Sequence, residues 1–195
     1  MAPRSISALR ERPRDRVEVE LDGERWRTVP ADVVVRAGLA VGQVLDRATA
    51  GVLAHELRKA RAVKAATRAL AARDRSCASL DERLARADIP SGARAEALDD
   101  LQRVGLVDDA RLARATAEAL AARGYGDVAI KARLTREGVS AELARAALGA
   151  LAPERDRVRV LFEREGGSPR ALRRLADRGF DRDTLTELAA FADPE

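Results

Sequence analysis

The chain has 195 residues, room for one domain or two small ones, and is 46% hydrophobic with only 3% aromatics. Its formal net charge of +4 is unevenly placed, with seven Lys/Arg against two acids over residues 55–75 and five acids against one Arg over residues 181–195; such asymmetry suits contact with a polyanion or a charged partner, although a solvated helical surface accounts for it as well. A single cysteine, Cys77, and a single histidine, His55, exclude an internal disulfide framework, a Cys-based zinc site and a His-pair metal motif.

The apolar content is mostly Ala, Leu and Val and the charged content mostly Arg, Glu and Asp. Ala, Leu, Arg and Glu lose little side-chain entropy in a helix, so the composition predicts a mainly α protein. The N-terminus carries arginines but no apolar run of a signal peptide, and no run is long enough to span a membrane. A cytoplasmic protein with no membrane partner is expected.

Residues 1–16 hold Arg4, Arg10, Arg12, Arg14 and Arg16, two prolines and no periodic apolar face, which predicts a flexible basic arm. Val17 to Leu21 then alternates strictly, the period of a strand with one buried face. Asp22-Gly23 supplies the turn chemistry of a two-residue β-hairpin, with a return strand over about Glu24 to Val29. A lone hairpin is marginal in water and must pack on something. Val33, Val34, Val35 and Leu39 are nearby candidates, and Trp26 is expected to anchor that packing rather than to bind a base. Residues 17–54 are thus read as a hairpin and short-helix region. Asp46 or Thr49 caps a following helix that runs toward Arg73, with Gly51 and the Glu56–Arg58 region as places where it divides. Its polar face carries Arg58, Lys59, Arg61, Lys64 and Arg68.

Three segments align without a gap: Leu70–Ile89, Leu120–Val139 and Leu161–Phe180, offset by 50 and then 41 residues. Leu80, Ile130 and Ala171 are equivalent, as are Leu84, Leu134 and Leu175, and then Ile89, Val139 and Phe180. Steps of four and five place these on one face of a helix and in the corner after it. Ser76, Gly126-Asp127 and Ser168-Pro169 start the middle helices. Gly138 and Gly179 stand where a left-handed turn would end them, with Asp88 in the same place in the first copy. A further helix follows each, marked by Leu98 and Leu101, by Leu148 and Leu151, and by Leu185, Leu188 and Phe191. The expected architecture is three tandem three-helix repeats in an elongated array, residues 55–104, 105–151 and 152–195, behind the small β-hairpin.

Charged positions recur as well. Arg73, Arg123 and Arg164 are equivalent, as are Arg83, Arg133 and Arg174. Arg170, Arg173, Arg174 and Arg178 fall on an arc of about 140° at 100° per residue, opposite Ala171 and Leu175. Lys131, Arg133 and Arg136 lie outside while Ile130 and Leu134 lie inside. Recurrence at equal repeat positions favours a basic stripe that meets phosphate or acidic protein over arginine that merely solubilises. Tyr125, the sole tyrosine, sits at the Gly124–Gly126 corner, where it packs into the core or stacks on a partner.

These residues resemble the RecX family of bacterial recombination regulators over about residues 17–191. The most specific part is Val104-Gly-Leu-Val-Asp-Asp-Ala-Arg-Leu-Ala-Arg114 leading to Arg123-Gly-Tyr-Gly126, similar to the family's Gly-Leu-Leu-Asp-Asp stretch and its Arg-Gly-x-Gly corner. Leu175-Ala-Asp-Arg-Gly-Phe180 is similar to the family's ending of the third unit, and Gly38 to Gln43 adds support. Leu112 departs from the usual aromatic, and Ala87-Asp88-Ile89-Pro90 from the usual ending of the first unit. The resemblance implies tandem three-helix units, no enzyme activity and no cofactor. It implies binding to the RecA recombinase and its nucleoprotein filament on single-stranded DNA, with inhibition of filament growth, ATP hydrolysis, strand exchange and coprotease activity. A monomer with weak nonspecific DNA binding is expected. The alternative is a helical DNA-binding protein or transcription factor with helix-turn-helix-like units; the middle helices lack the Asn/Gln/Arg mixture of base readout.

The residues exclude some chemistry directly. There is no phosphate loop for nucleotide hydrolysis, and Gly124-x-Gly126 is too short for a dinucleotide fingerprint. Asp108-Asp109 sits where an acidic helix cap belongs, so capping is preferred to metal binding. The candidate partner-binding residues are therefore Arg73, Arg83, Arg123, Tyr125, Lys131, Arg133, Arg136, Arg164, Arg170, Arg173, Arg174 and Arg178, with no catalytic, metal or cofactor residue.

Overall fold

The computed structural model describes the backbone of residues 4–192 and the side chains of residues 4–190. Its chain falls into two compact units, Met1–Ala72 with Leu80–Leu106, and Arg73–Ser79 with Val107–Glu195. The structure is mostly helical, with one small N-terminal antiparallel sheet among the described residues.

The first unit opens with strands β1 (Arg4–Arg12), β2 (Arg16–Leu21) and β3 (Glu24–Pro30), and a short β4 (Val44–Leu45) completes a sheet of order β3-β2-β1-β4. The Asp22–Gly23 turn has φ of +50° and +86°, the positive pair that a two-residue hairpin turn needs. Strand β1 corrects the expectation of a flexible arm over residues 1–16, of which Met1 to Pro3 lie outside the described residues. Its order comes from cross-strand pairing that a local period cannot reveal. Arg4 bonds Asp22 at 3.0 Å, Arg10 bonds Glu20 at 2.7 Å and Arg12 bonds Glu18 at 2.7 Å, so three of the arm's five arginines are matched by acids in or just after β2.

One sheet face supplies the core. Ile6, Val17, Val19, Leu21 and Val29 pack with Val33, Val34, Ala37 and Leu39, from α1 (Ala31–Arg36) and the turn after it, and with Leu53 of α2 (Arg47–Ala72). Burying each such branched side chain contributes about 1.5–3 kcal/mol. Trp26 does not anchor this packing: it is 37% exposed. The register explains why. Val19 faces Arg27 and Glu20 faces Arg25, so Trp26 is the extra residue of a β-bulge, and a bulge re-aims its side chain.

Helix α2 runs unbroken for 26 residues through Gly51, correcting the expected division. Asp46 caps its start, accepting from the Thr49 N–H at 2.7 Å. Its Ala62, Ala66 and Ala69 are buried, and these small side chains let α4 (Ser91–Arg103) lie close against it. Lys59 ties the pair together, 2.9 Å from Asp100 and 3.5 Å from Glu96. Helix α3 (Cys77–Ala85) starts in the second unit and ends in the first.

The second unit continues with α5 (Asp109–Ala122), α6 (Asp127–Arg136), α7 (Ala141–Gly149), α8 (Glu154–Arg164), α9 (Pro169–Asp177) and α10 (Arg182–Ala192). Helices α5, α6 and α7 enclose Ala113, Ala117, Ile130, Leu134, Val139, Ala144 and Ala147. Helices α8, α9 and α10 enclose Val158, Leu161, Phe162, Ala171, Leu175, Phe180 and Leu185. Every apolar position aligned above, from Leu80 to Phe180, is buried. The Phe191 side chain, expected on the apolar face of α10, lies outside the described residues. Gly138 and Gly179 have φ of +79° and +75°, and Asp88 takes the same left-handed turn at +54°.

Candidate partner-binding surface

The second unit is built on a corner-on-helix-start contact that occurs twice. The corner after α9 docks on the start of α6: the Gly126 N–H donates to Arg178 O at 3.0 Å and the Val128 N–H to Gly179 O at 3.1 Å. A Cβ on Gly126 would overlap Gly179 O and the Phe180 backbone, and one on Gly179 would lie 2.5 Å from Ala129 Cβ. Glycine at both positions is thus a matter of space. The corner after α6 docks on the start of α3 in the same way. The Ser76 hydroxyl donates to Glu137 O, and a Cβ on Gly138 would lie 3.0 Å from both Ser76 Oγ and Ala78 Cβ. Ser76 Oγ also accepts from the Ser79 N–H at 3.1 Å, so one buried hydroxyl caps α3 and ties it to α6.

An acid recurs in each contact. Asp109, the first residue of α5, accepts from the Cys77 N–H at 2.8 Å; Glu154, the first residue of α8, accepts from the Asp127 N–H at 2.5 Å. Each satisfies an orphan donor at a helix start and places negative charge there. Arg157, 12% exposed, pairs with Asp127 and donates to Tyr125 O at 3.1 Å. Glu154 and Arg157 escape sequence reading because their partners lie about 30 residues away and no local period marks them.

The contacts fix where the candidate residues point. Tyr125 is half-buried at the edge of the α5–α7 core, and Arg123 lies over its ring at 5.5 Å from the centroid. Three arginines are already paired inside the unit: Arg133 with Glu137 at 2.7 Å, and Arg174 and Arg178 both with Glu165 at 2.9 Å. Arg73, Arg83, Lys131, Arg136, Arg164, Arg170 and Arg173 are exposed, with no carboxylate partner among the described residues. Arg83 lies in the first unit and the other six in the second. Arg73 and Arg136 come together on one small hollow of about 60 Å³ with Ser76, Ser79 and Leu112. Beneath it one oxygen of Glu137 is buried without a hydrogen-bond partner among the described residues. Helix α6 presents Lys131 and Arg136 outward; α9 presents Arg170 and Arg173 outward while Ala171 and Leu175 are buried. Such a surface can hold anions through screened but additive contacts. Among the described residues no group of His, Cys, Asp or Glu is placed to hold a metal ion, and no helix is long and apolar enough to cross a membrane.

The model of the RecX second three-helix domain matches residues 108–148, the span of α5 to α7. The crystal structure of a regulatory protein RecX superposes with a TM-score of 0.78 at 20% identity, covering 96% of this chain and 99% of that one. RecX from Lactobacillus salivarius superposes with a TM-score of 0.60 at 18% identity, covering 70% and 97%. These likenesses establish the fold. The regulatory protein RecX of Chromohalobacter salexigens is 37% identical over 136 residues, 65% of this chain and 90% of that relative. That of Xanthomonas axonopodis pv. citri is 32% identical over 132 residues, 63% and 82%. The chain belongs to the RecX family of regulatory proteins.

Proposed function

We propose that this protein is a non-enzymatic regulator of the RecA recombinase that docks on RecA–single-stranded-DNA filaments and inhibits their growth, ATP hydrolysis, strand exchange and coprotease activity. Membership of the RecX family supports the partner. The observation that supports the mode is the set of exposed cations with no carboxylate partner among the described residues: Arg73, Lys131, Arg136, Arg164, Arg170 and Arg173 in the second unit. Such groups meet acidic protein or phosphate without first breaking an internal pair, whereas Arg133, Arg174 and Arg178 must leave Glu137 and Glu165 to do so. Helices α5 to α7, which the family model spans, form the central contact module in this reading. The protein acts as a monomer in the cytoplasm. The test is co-sedimentation with RecA filaments assembled on single-stranded DNA. The protein should pellet with filaments and release as salt rises; absence from the pellet at low salt would sink the reading.

A further inference from the structure

The first unit carries a basic groove that the docking proposal above does not use. It runs between the β2–β3 end of the sheet and helix α2. Two hollows, of about 260 and 320 Å³, share Arg16, Pro30, Ala60 and Lys64 and so form one trough. Arg27 and Arg61 line one hollow, and Arg14 lines the other. None of these five cations is paired with a carboxylate among the described residues. Arg16 donates to Thr28 O at 2.7 Å and Arg61 to Ala87 O at 3.0 Å, bonds that hold the two guanidinium groups in place and leave their charge uncompensated. The acids lining the trough are Asp15 and Asp32, and Asp32 is neutralised by Arg36 at 2.6 Å.

The bulge in β3 adds an aromatic face to this charge. Trp26 is exposed, and the Arg27 guanidinium lies over its ring at 4.9 Å from the centroid. Trp26 is not among the residues of the first unit's core cluster, so part of its ring is open to a ligand. Cations that track a backbone, beside an aromatic ring on which a flat group can stack, match single-stranded nucleic acid. An acidic polypeptide would use the cations and leave the ring idle. We infer that the trough between β3 and α2 is a binding site for single-stranded nucleic acid, with Arg16, Arg27, Arg61 and Lys64 on phosphates and Trp26 stacked on a base.

Trp26 is the sole tryptophan of the chain, so it reports on its own site. Full-length protein is titrated with labelled oligothymidylate, without RecA, following Trp26 fluorescence and probe anisotropy together. The site predicts quenching that tracks the anisotropy curve, and weaker quenching by duplex DNA, whose bases are already stacked. Trp26→Ala should weaken binding about tenfold, within the range for loss of one stacked base. Arg27→Glu with Lys64→Glu should lower the log–log salt slope by about 1.4, two phosphate contacts at about 0.7 each. The Lys64 side chain makes no hydrogen bond or ion pair among the described residues, and Trp26 is not part of the core cluster, so unchanged circular dichroism is expected of the variants. Arg136→Glu with Arg173→Glu, in the second unit, should leave the quenching unchanged. Anisotropy without quenching, wild-type affinity in the Arg27/Lys64 variant, loss of quenching in the second-unit variant, or equal quenching by polyglutamate would each overturn the assignment. Because RecA is absent, none of these results bears on the filament proposal.

Discussion

Two residues show how little room individual side chains have in the second unit. Gly126 is extended at φ −85°, a conformation open to any residue, yet a Cβ there meets the backbone of Gly179 and Phe180. Backbone cannot swing aside as a side chain does. Gly126→Ala should destabilise the protein by about 1–3 kcal/mol through overpacking, read as a lower urea midpoint. A wild-type midpoint would mean the α6 start and the Gly179 corner are not held together as described. Leu134 is fully buried between α5, α6 and α7, so Leu134→Ala should cost about 2–5 kcal/mol. Its effect on partner binding should vanish at temperatures where the variant remains folded.

At the scale of elements, charge rather than apolar area distinguishes the first unit's sheet. Glu18 is 7% exposed and held by Arg12 and Arg25, each at 2.7 Å. The Arg12 hydrogen bond above all, with the charges of Arg12 and Arg25, keeps its carboxyl below the usual range. Asp22 is lowered by the Ser5 N–H and then Arg4, and Asp100 by Lys59 and then Arg103. A carboxyl whose folded pKa is depressed contributes stability above its unfolded value, about 4.3 for Glu. That contribution is lost as pH falls through the folded value. Stability should therefore be flat near neutrality and fall below about pH 4.3, and Glu18→Gln should flatten part of that fall. A variant with an unchanged acid limb would show that the Glu18 pairs contribute nothing.

The same elements mark what a sequence can reveal. Strand β2, the Asp22–Gly23 turn, the helix caps at Asp46, Ser76, Asp108 and Ser168, and the buried triplets from Leu80 to Phe180 are written in local period and turn chemistry. Strand β1 was not, because its arginines look like a disordered arm until the acids of the neighbouring strand and turn are placed opposite them. The exposure of Trp26 was not, because a bulge is a property of two strands and not of one. The candidate arginines were legible as residues. Which of them are paired was not, since Glu165 reaches Arg174 and Arg178 across a helix corner.

Over the whole molecule, each compact unit carries its own set of cations that no carboxylate pairs among the described residues. The first unit concentrates them in a trough beside an aromatic ring; the second spreads them along α6 and α9. On the proposed role at a nucleoprotein filament, which presents both protein and nucleic acid, two chemically different basic surfaces would each find a target. In the proposed mode, Arg136 and Arg173 of the second unit carry the inhibition of RecA. This mode is tested most directly by RecA ATP hydrolysis on single-stranded DNA with increasing wild-type protein or Arg136→Glu/Arg173→Glu protein. Both positions are exposed and unpaired among the described residues, so the reversed protein should keep its helicity. Wild type should suppress hydrolysis, and the reversed protein should need at least about tenfold more for the same effect, the equivalent of about 1.4 kcal/mol. No suppression by saturating wild type, or equal suppression by the folded reversed protein, would contradict this mode.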